Sequence, residues 1–337
     1  MTTRYTVTGS PELETKIGEQ LAAISNDVRK NLAPDLLDCL ALGGGYGRGE
    51  GGALVRDGVE SPYNDYDLVL VHHAPRRALS FLRDIEQKHT SASGIHVEIM
   101  PLHRKRVPRL PHALTWFELG RGHKVLLGNP HGLQALTKRR IDQVHPAEWG
   151  RLLMNRAVGL VFARWVLAGE PCSVLGSEDP DAFVTRQIEK AWLALGDVWL
   201  SERHAYHHLV WERKKRFAQL LSDRPFWGDA YERSIAFKLS PTMTRPRSEL
   251  LRELSELSGL YAPRLRRRRA SPLRPLVGLL ATLRHVAPRR WLAAPPWAYP
   301  RERIRLAVSS ELIGDHEGFR ALVDSRERLI RLWSRYG

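Results

Sequence analysis

At 337 residues, with 43% hydrophobic and 26% charged residues, the chain has the length for two domains and the composition of a globular protein, which excludes wholesale disorder and fibrous repeats. Lysine and arginine number 52 against 37 aspartates and glutamates, and this net charge of +15 favours polyanionic partners without choosing among nucleotides, nucleic acid and anionic headgroups. Two cysteines, Cys39 and Cys172, exclude a disulfide framework or a thiolate metal site within one chain. The first residues lack the apolar core of a signal peptide, and no apolar run approaches the ~20 residues of a spanning helix, so the expectation is a cytoplasmic protein without a transmembrane segment.

Ser10 followed by Pro11 marks a helix start, a capping hydroxyl before a ring already set at helical φ. Leu13, Ile17, Leu21, Ile24 and Val28 then recur at helical spacing and predict an amphipathic first helix. Residues 36–42, 65–71 and 95–99 are short and rich in aliphatic or β-branched side chains, as strands are. Asp57-Gly58 reads as a hairpin tip, and residues 75–87 as a helix. The order of elements predicts an α+β domain, a small sheet with flanking helices. From Pro146 onward the text turns to long helical stretches, at residues 146–168, 181–201 and 204–221 and more weakly at 248–260. Arg264 to Arg290 is basic, free of carboxylates and punctuated by Pro272, Pro275 and Pro288, so it reads as a connector. A last amphipathic helix over residues 318–336 turns Phe319, Leu322, Leu329, Ile330 and Trp333 to a core. The expected domains are therefore residues 1–145 around a sheet, 146–262 as a helical bundle, and 263–337 as basic connector and terminal helix.

Directly after the first strand stands Gly43-Gly44-Gly45-Tyr46-Gly47-Arg48-Gly49-Glu50-Gly51. Glycines there let backbone amides approach an oxyanion, although a plain turn is equally served by such a run. In the next strand Asp65 and Asp67 stand at i and i+2 and so project to one face. Adjacent carboxylates repel; a hard cation such as Mg²⁺ between them relieves the repulsion, and a solvated strand start is the bland alternative. In the third strand Ile95, Val97 and Ile99 share one face, leaving His96 and Glu98 on the other. If the second and third strands are neighbours, Glu98 joins Asp65 and Asp67 in an acidic cluster suited to displacement at phosphorus.

Taken together, Gly44, Gly45, Arg48, Gly49, Glu50, Asp65, Asp67 and Glu98 resemble the signature of the nucleotidyltransferase superfamily that includes DNA polymerase β, in particular its minimal and aminoglycoside nucleotidyltransferase members. The resemblance covers about residues 36–100. The chain departs from it in carrying Gly45 where many members have serine, and in a longer stretch from Tyr46 to Asn64. The resemblance implies attack of an acceptor hydroxyl, on a small molecule, sugar or protein, at the α-phosphorus of a nucleoside triphosphate such as ATP, with release of pyrophosphate. It implies two Mg²⁺ ions, with Mn²⁺ as a substitute, held by Asp65, Asp67 and Glu98, and Glu98 helping to remove the hydroxyl proton. Gly44, Gly45 and Arg48 would hold phosphates, with a structural ion pair to Glu50 or another acid as the alternative for Arg48.

Arg186 and Lys190, with Asp197, recur on one predicted helix face and make a second phosphate candidate beside a plain solvated face. His204, His207 and His208 read as surface or partly buried histidines, and Trp165, Trp192 and Trp199 as core. The competing reading is a catalytically inactive relative that grips nucleic acid or an anionic surface, including a membrane surface, through Arg264 to Arg290.

Overall fold

A computed structural model describes residues 4–176, 178–220, 223–242, 245–266 and 300–336. Most of the basic segment expected as a connector, from Arg267 to Arg290, lies outside the described residues. The chain is a mixed α+β protein and divides into two compact units, Met1–His145 with Trp199–Thr242, and Pro146–Val198 with Met243–Gly337. The stretch Trp199–Thr242, which the sequence assigns to the helical bundle, belongs instead to the unit that holds the sheet.

In that first unit α1 spans Pro11–Asn31, capped by Ser10, whose Oγ accepts the amide of Leu13 at 3.2 Å. Its buried stripe is the expected one, Leu13, Ile17, Leu21, Ile24 and Val28. The strands are β1 (Leu37–Leu42), β2 (Gly52–Arg56), β3 (Val59–Tyr63), β4 (Asp65–His72), β5 (His96–His103) and β6 (Lys124–Gly128). Four of them form a sheet in the order β5-β4-β1-β6, with β4 and β5 parallel and the other pairs antiparallel. Strands β2 and β3 form a separate hairpin whose tip, Asp57 (φ 52°) and Gly58 (φ 75°), has both residues left-handed, as an Asp-Gly turn of the twisted kind requires.

A parallel pair needs a crossover, and here it is a 3₁₀ turn at Arg76–Leu79 followed by an α-helix at Leu82–Ser93. The single helix expected at residues 75–87 is thus split and displaced, ending only where Gly94 turns left-handed (φ 75°). Between β1 and β2 lies a one-turn helix, α2 (Gly44–Arg48), so the crossover helix is α3; α4 (Leu114–Arg121) and α5 (Gln134–Thr137) flank β6. One face of the sheet, with Leu40, Leu42, Tyr66, Leu68, Leu70, Val97 and Ile99, packs with α1 and α3 residues. The other, with Cys39, Ala41, Val69, Val71 and Leu102, packs with Leu119, Leu133 and Leu136. Beyond Glu202 the chain adds two helices to this unit, Val210–Gln219 (α8) and Gly228–Leu239 (α9), where Phe217 meets Trp199 and Tyr231 with ring centroids 5.1 and 4.8 Å apart.

The second unit is helical: α6 (Ala147–Leu167), α7 (Pro180–Glu202, within which the division falls), α10 (Arg247–Arg266), α11 (Pro300–Leu312), α12 (His316–Val323) and α13 (Arg326–Tyr336). Trp165 and Trp192 are buried, and their indole N–H groups donate to Glu311 (2.8 Å) and Glu253 (2.9 Å). The terminal helix expected as one piece is two, because Asp324 takes a positive φ (62°) and Ser325 Oγ accepts the amide of Arg328 to start the second. The helix expected from His204 begins only at Val210: His204 (φ 55°) turns back so that the amide of Ala205 reaches the carbonyl of Leu200 and closes α7. Among the described residues no helix is long and apolar enough to cross a membrane.

Two glycines separate backbone crowding from helix propensity. A methyl group on Gly47 would collide with the Leu42 carbonyl and lie 3.1 Å from that of Gly122, backbone that cannot yield, whereas one on Gly150 in α6 meets nothing within 4 Å. Gly47→Ala should therefore lower unfolding free energy by about 1–3 kcal/mol, and Gly150→Ala should raise it by about 0.5–1 kcal/mol. Denaturant titrations followed by tryptophan fluorescence check both signs.

Candidate active site

The first unit builds its site where β1 gives way to the glycine turn. The amide of Gly43 donates to the carbonyl of Asp67 at 2.7 Å, which fastens the start of the turn to β4. Gly44 follows with φ +57°, and a methyl group there would collide with the Asp67 carboxylate. Glycine is thus required at position 44 twice over, by backbone sign and by space. Gly45 is tight for a different reason, since a side chain would press on the Glu50 carbonyl at 3.2 Å.

Two further contacts hold the turn. Tyr46 turns its hydroxyl to the next hairpin, donating to Gly52 O (2.8 Å) and accepting from Tyr63 N (2.7 Å). Lys124 on β6 donates to the carbonyls of Tyr46 (2.9 Å) and Gly47 (3.0 Å), a cation at the carbonyl end of α2. Burial lowers the Lys124 pKa while Glu14 opposes it.

The three expected carboxylates lie on one sheet face. Strands β4 and β5 are neighbours, and their register sets Asp67 opposite Glu98 and Asp65 opposite His96. Neighbouring strands lie ~4.8 Å apart and paired residues project to the same side, so Glu98 joins Asp65 and Asp67 on that face. Tyr66, Leu68, Val97 and Ile99 are buried on the other. Asp65 and Asp67 are half-buried and Glu98 exposed; the side-chain amide of Asn64 (φ 84°) donates to Asp65. In kind this donor set fits a hard divalent cation, being all carboxylate oxygen. Among the described residues no three His, Cys, Asp or Glu side chains are already gathered closely enough to hold a metal, so the fit is one of chemistry and register.

Arg48 makes the ion pair with Glu50 that is the alternative to a phosphate contact, and a second one with Glu118. It is buried, with Nε 3.5 Å from Glu50 and Nη1 3.3 Å from Glu118. Glu50, only 1% exposed, also accepts the amide of Val210 at 2.5 Å, and Glu118 accepts the hydroxyl of Tyr206. Arg213 lies over the Tyr206 ring at 5.1 Å and, with Lys238, shares this neighbourhood. Burial pushes Glu118 up, but Arg48 and Arg213 outweigh it and hold the carboxyl below its usual range. Burial, helped by Arg48 and Arg213, brings the Lys238 ammonium down to about 8.

The remaining candidates belong to the second unit. Arg186 donates from Nε to Glu178 at 3.1 Å and lies over the Phe183 ring, and Lys190 is half-buried. Asp197, expected on the same outward face, is buried. Arg186, Gln187 and Lys190 keep a partly exposed stripe on α7, but the helix is otherwise covered, with Phe183, Val184, Ile188, Ala191 and Trp192 buried, and the cover closes over the stripe at Asp197.

Four participants escaped the sequence reading: Glu118, Tyr206, Arg213 and Lys238. Arg213 did leave a signal, a charge at i+3 from Val210 and i−4 from Phe217, hence on the buried stripe of α8. The others sit in segments whose polar pattern resembles any exposed turn or helix end. No protein-family model matches the chain, and no curated protein matches it.

His207 and His208 stand with ring centroids 4.2 Å apart beside this network. Burial first, then His207, Arg48 and Arg121, pushes His208 down to about 4. A depressed pKa contributes stability that is present above the unfolded value near 6.5 and lost as pH falls through about 4. Unfolding midpoints measured from pH 7 to pH 4 should therefore fall less steeply in His208→Gln than in the parent chain. Parallel curves would show that His208 titrates alike in both states.

Proposed function

We propose that the first unit is a nucleotidyltransferase, which moves a nucleoside monophosphate from a triphosphate such as ATP to an acceptor hydroxyl. The observation that carries this reading is the register of β4 with β5, which puts Asp67 opposite Glu98 on the face of Asp65, with Gly44 against the Asp67 carboxylate. Three acids on one patch of sheet repel one another and would repel a bare polyanion. That speaks for a cation-dependent phosphate chemistry at this spot and against a passive grip on nucleic acid there.

In this reading the acceptor oxygen forms a bond to the α-phosphorus while the bond from that phosphorus to the pyrophosphate oxygen breaks. Glu98, the exposed member of the three, takes the hydroxyl proton and passes it to water; pyrophosphate leaves with the bond's electron pair. Mg²⁺ held by Asp65, Asp67 and Glu98 would supply neutralisation of phosphate charge. Gly44 and Gly45 would hold the triphosphate through backbone amides in place of a side-chain hydroxyl. The acceptor is a small molecule, a sugar or a protein hydroxyl.

The test is incubation with Mg²⁺ and each α-labelled triphosphate, with and without cell extract, following the label. Asp65→Asn and Asp67→Asn should each reduce transfer by roughly 100-fold or more, with melting temperature in EDTA equal to or above that of the parent, since one repulsion is gone. Unchanged turnover in either variant would falsify the reading. Glu98→Gln should lower the rate of the chemical step more than triphosphate affinity, because its role is on the acceptor side. Single-turnover kinetics separate the two, and a loss confined to affinity would move Glu98 from proton transfer to substrate positioning.

A further inference from the structure

We infer that Arg48 and Glu50 are positioning residues, which brace the glycine turn against the returning segment Tyr206 to Val210 and so hold Gly44 at Asp67. The inference rests on the proposed transferase reading for its catalytic meaning, but its structural content stands without it.

The brace has two arms that meet at Arg48. One runs from Arg48 Nη1 to Glu118 Oε2 (3.3 Å), whose other oxygen accepts the Tyr206 hydroxyl. The second runs from Arg48 Nε to Glu50 Oε2 (3.5 Å), whose other oxygen accepts the Val210 amide (2.5 Å). Val210 opens α8, and its preceding residue Leu209 offers no side-chain cap, so Glu50 reaches across 160 residues to satisfy an orphan helix amide. The guanidinium is thereby committed on both sides, with its side chain 7% exposed. Its stem fits against Gly122, where a methyl group would collide with Arg48 Cγ. A planar fork serves two carboxylates in fixed directions, which a lysine cannot do.

The turn between these anchors is short. Glu50 N donates to Gly45 O (2.8 Å) and Gly47 N to Gly43 O (2.7 Å), so a displacement of Arg48 or Glu50 passes directly to the glycines. Position within the turn then depends on residues far along the chain, which gives Trp199–Thr242 a reason to fold with the sheet unit.

Two variants of the full chain test this from opposite ends. Val210→Pro removes the amide that Glu50 accepts and replaces one buried aliphatic side chain by another; proline suits the first helical position, and Leu209 (φ −86°, ψ 131°) already has the extended backbone that precedes proline. Arg48→Lys keeps the charge and loses the fork. Hydrogen exchange by mass spectrometry should show peptides covering residues 43–51 opening roughly tenfold faster in both variants, with α1 peptides unchanged. If transfer is observed, KM for the triphosphate should rise in both with kcat much less affected. Val210→Pro with parent-like exchange in the turn would overturn the brace. So would an Arg48→Lys chain whose KM rises while turn exchange stays at the parent rate, since Arg48 would then be touching phosphate itself. Should Val210→Pro fold poorly, Glu118→Gln, which preserves shape and weakens the other arm, carries the same expectation. Absence of transfer from every triphosphate in the parent chain would end the transferase reading and leave the exchange result intact.

Discussion

The parallel pairing of β4 with β5 is the constraint on which the candidate site depends. Side chains alternate along a strand, so a shift of one residue in this pairing would send Glu98 to the opposite face from Asp67. What prevents the slip is the apolar half of the same alternation: Tyr66, Leu68 and Leu70 on β4 and Val97 and Ile99 on β5 are buried together against α1 and α3. The acids are therefore positioned by apolar residues that point to the opposite face of the sheet. The crossover through α3, closed at Gly94, supplies the connection that lets the two strands run in the same direction.

The second constraint is electrostatic. Arg48, Glu50, Glu118, Arg213 and Lys238 form a charge network of which much is withdrawn from solvent, and taking charges out of water costs several kcal/mol per ion. An apolar substitute of similar shape would serve stability as well or better. The network is better understood through direction than through strength. Hydrogen bonds and ion pairs are directional, and those of Arg48, Glu50 and Glu118 tie the glycine turn to α4, to Tyr206 and to the start of α8. Greasy packing would hold the same elements together without specifying where Gly44 stands.

Much of the first unit was legible in the text. Ser10-Pro11, the Asp57-Gly58 tip and the strands of residues 36–42 and 65–71 carry local signals with local causes, namely capping, left-handed turn backbone and alternation. The three carboxylates were legible because period-two spacing converts directly into a shared face; their adjacency required only that β4 and β5 be neighbours. Strand β6 was not legible, since Lys124–Gly128 offers three apolar residues and a flanking basic run, and it becomes a strand by pairing with β1. The break at Asp324 was hidden because periodic apolar residues on both sides mimic one helix.

Arg48 shows where spacing stops being informative. Its place in the run from Gly43 to Gly51 puts it within reach of a phosphate and equally of any acid the fold delivers. Which it meets depends on Glu118, 70 residues away, and on the Val210 amide that orients Glu50. Arg213 is the more instructive case, since a charged residue on the buried stripe of α8 must find counter-charges somewhere in the interior. Read that way, a cation between Val210 and Phe217 predicts that an acidic partner lies beneath α8, and Glu50 and Glu118 are the acids the fold brings there. A glycine turn that carries its own arginine and glutamate, Arg48 and Glu50, is therefore built to be gripped from outside. Of the residues that grip it, Glu118 lies in α4, while Tyr206 and Val210 lie in Trp199–Thr242 and fasten that segment to the unit containing the site.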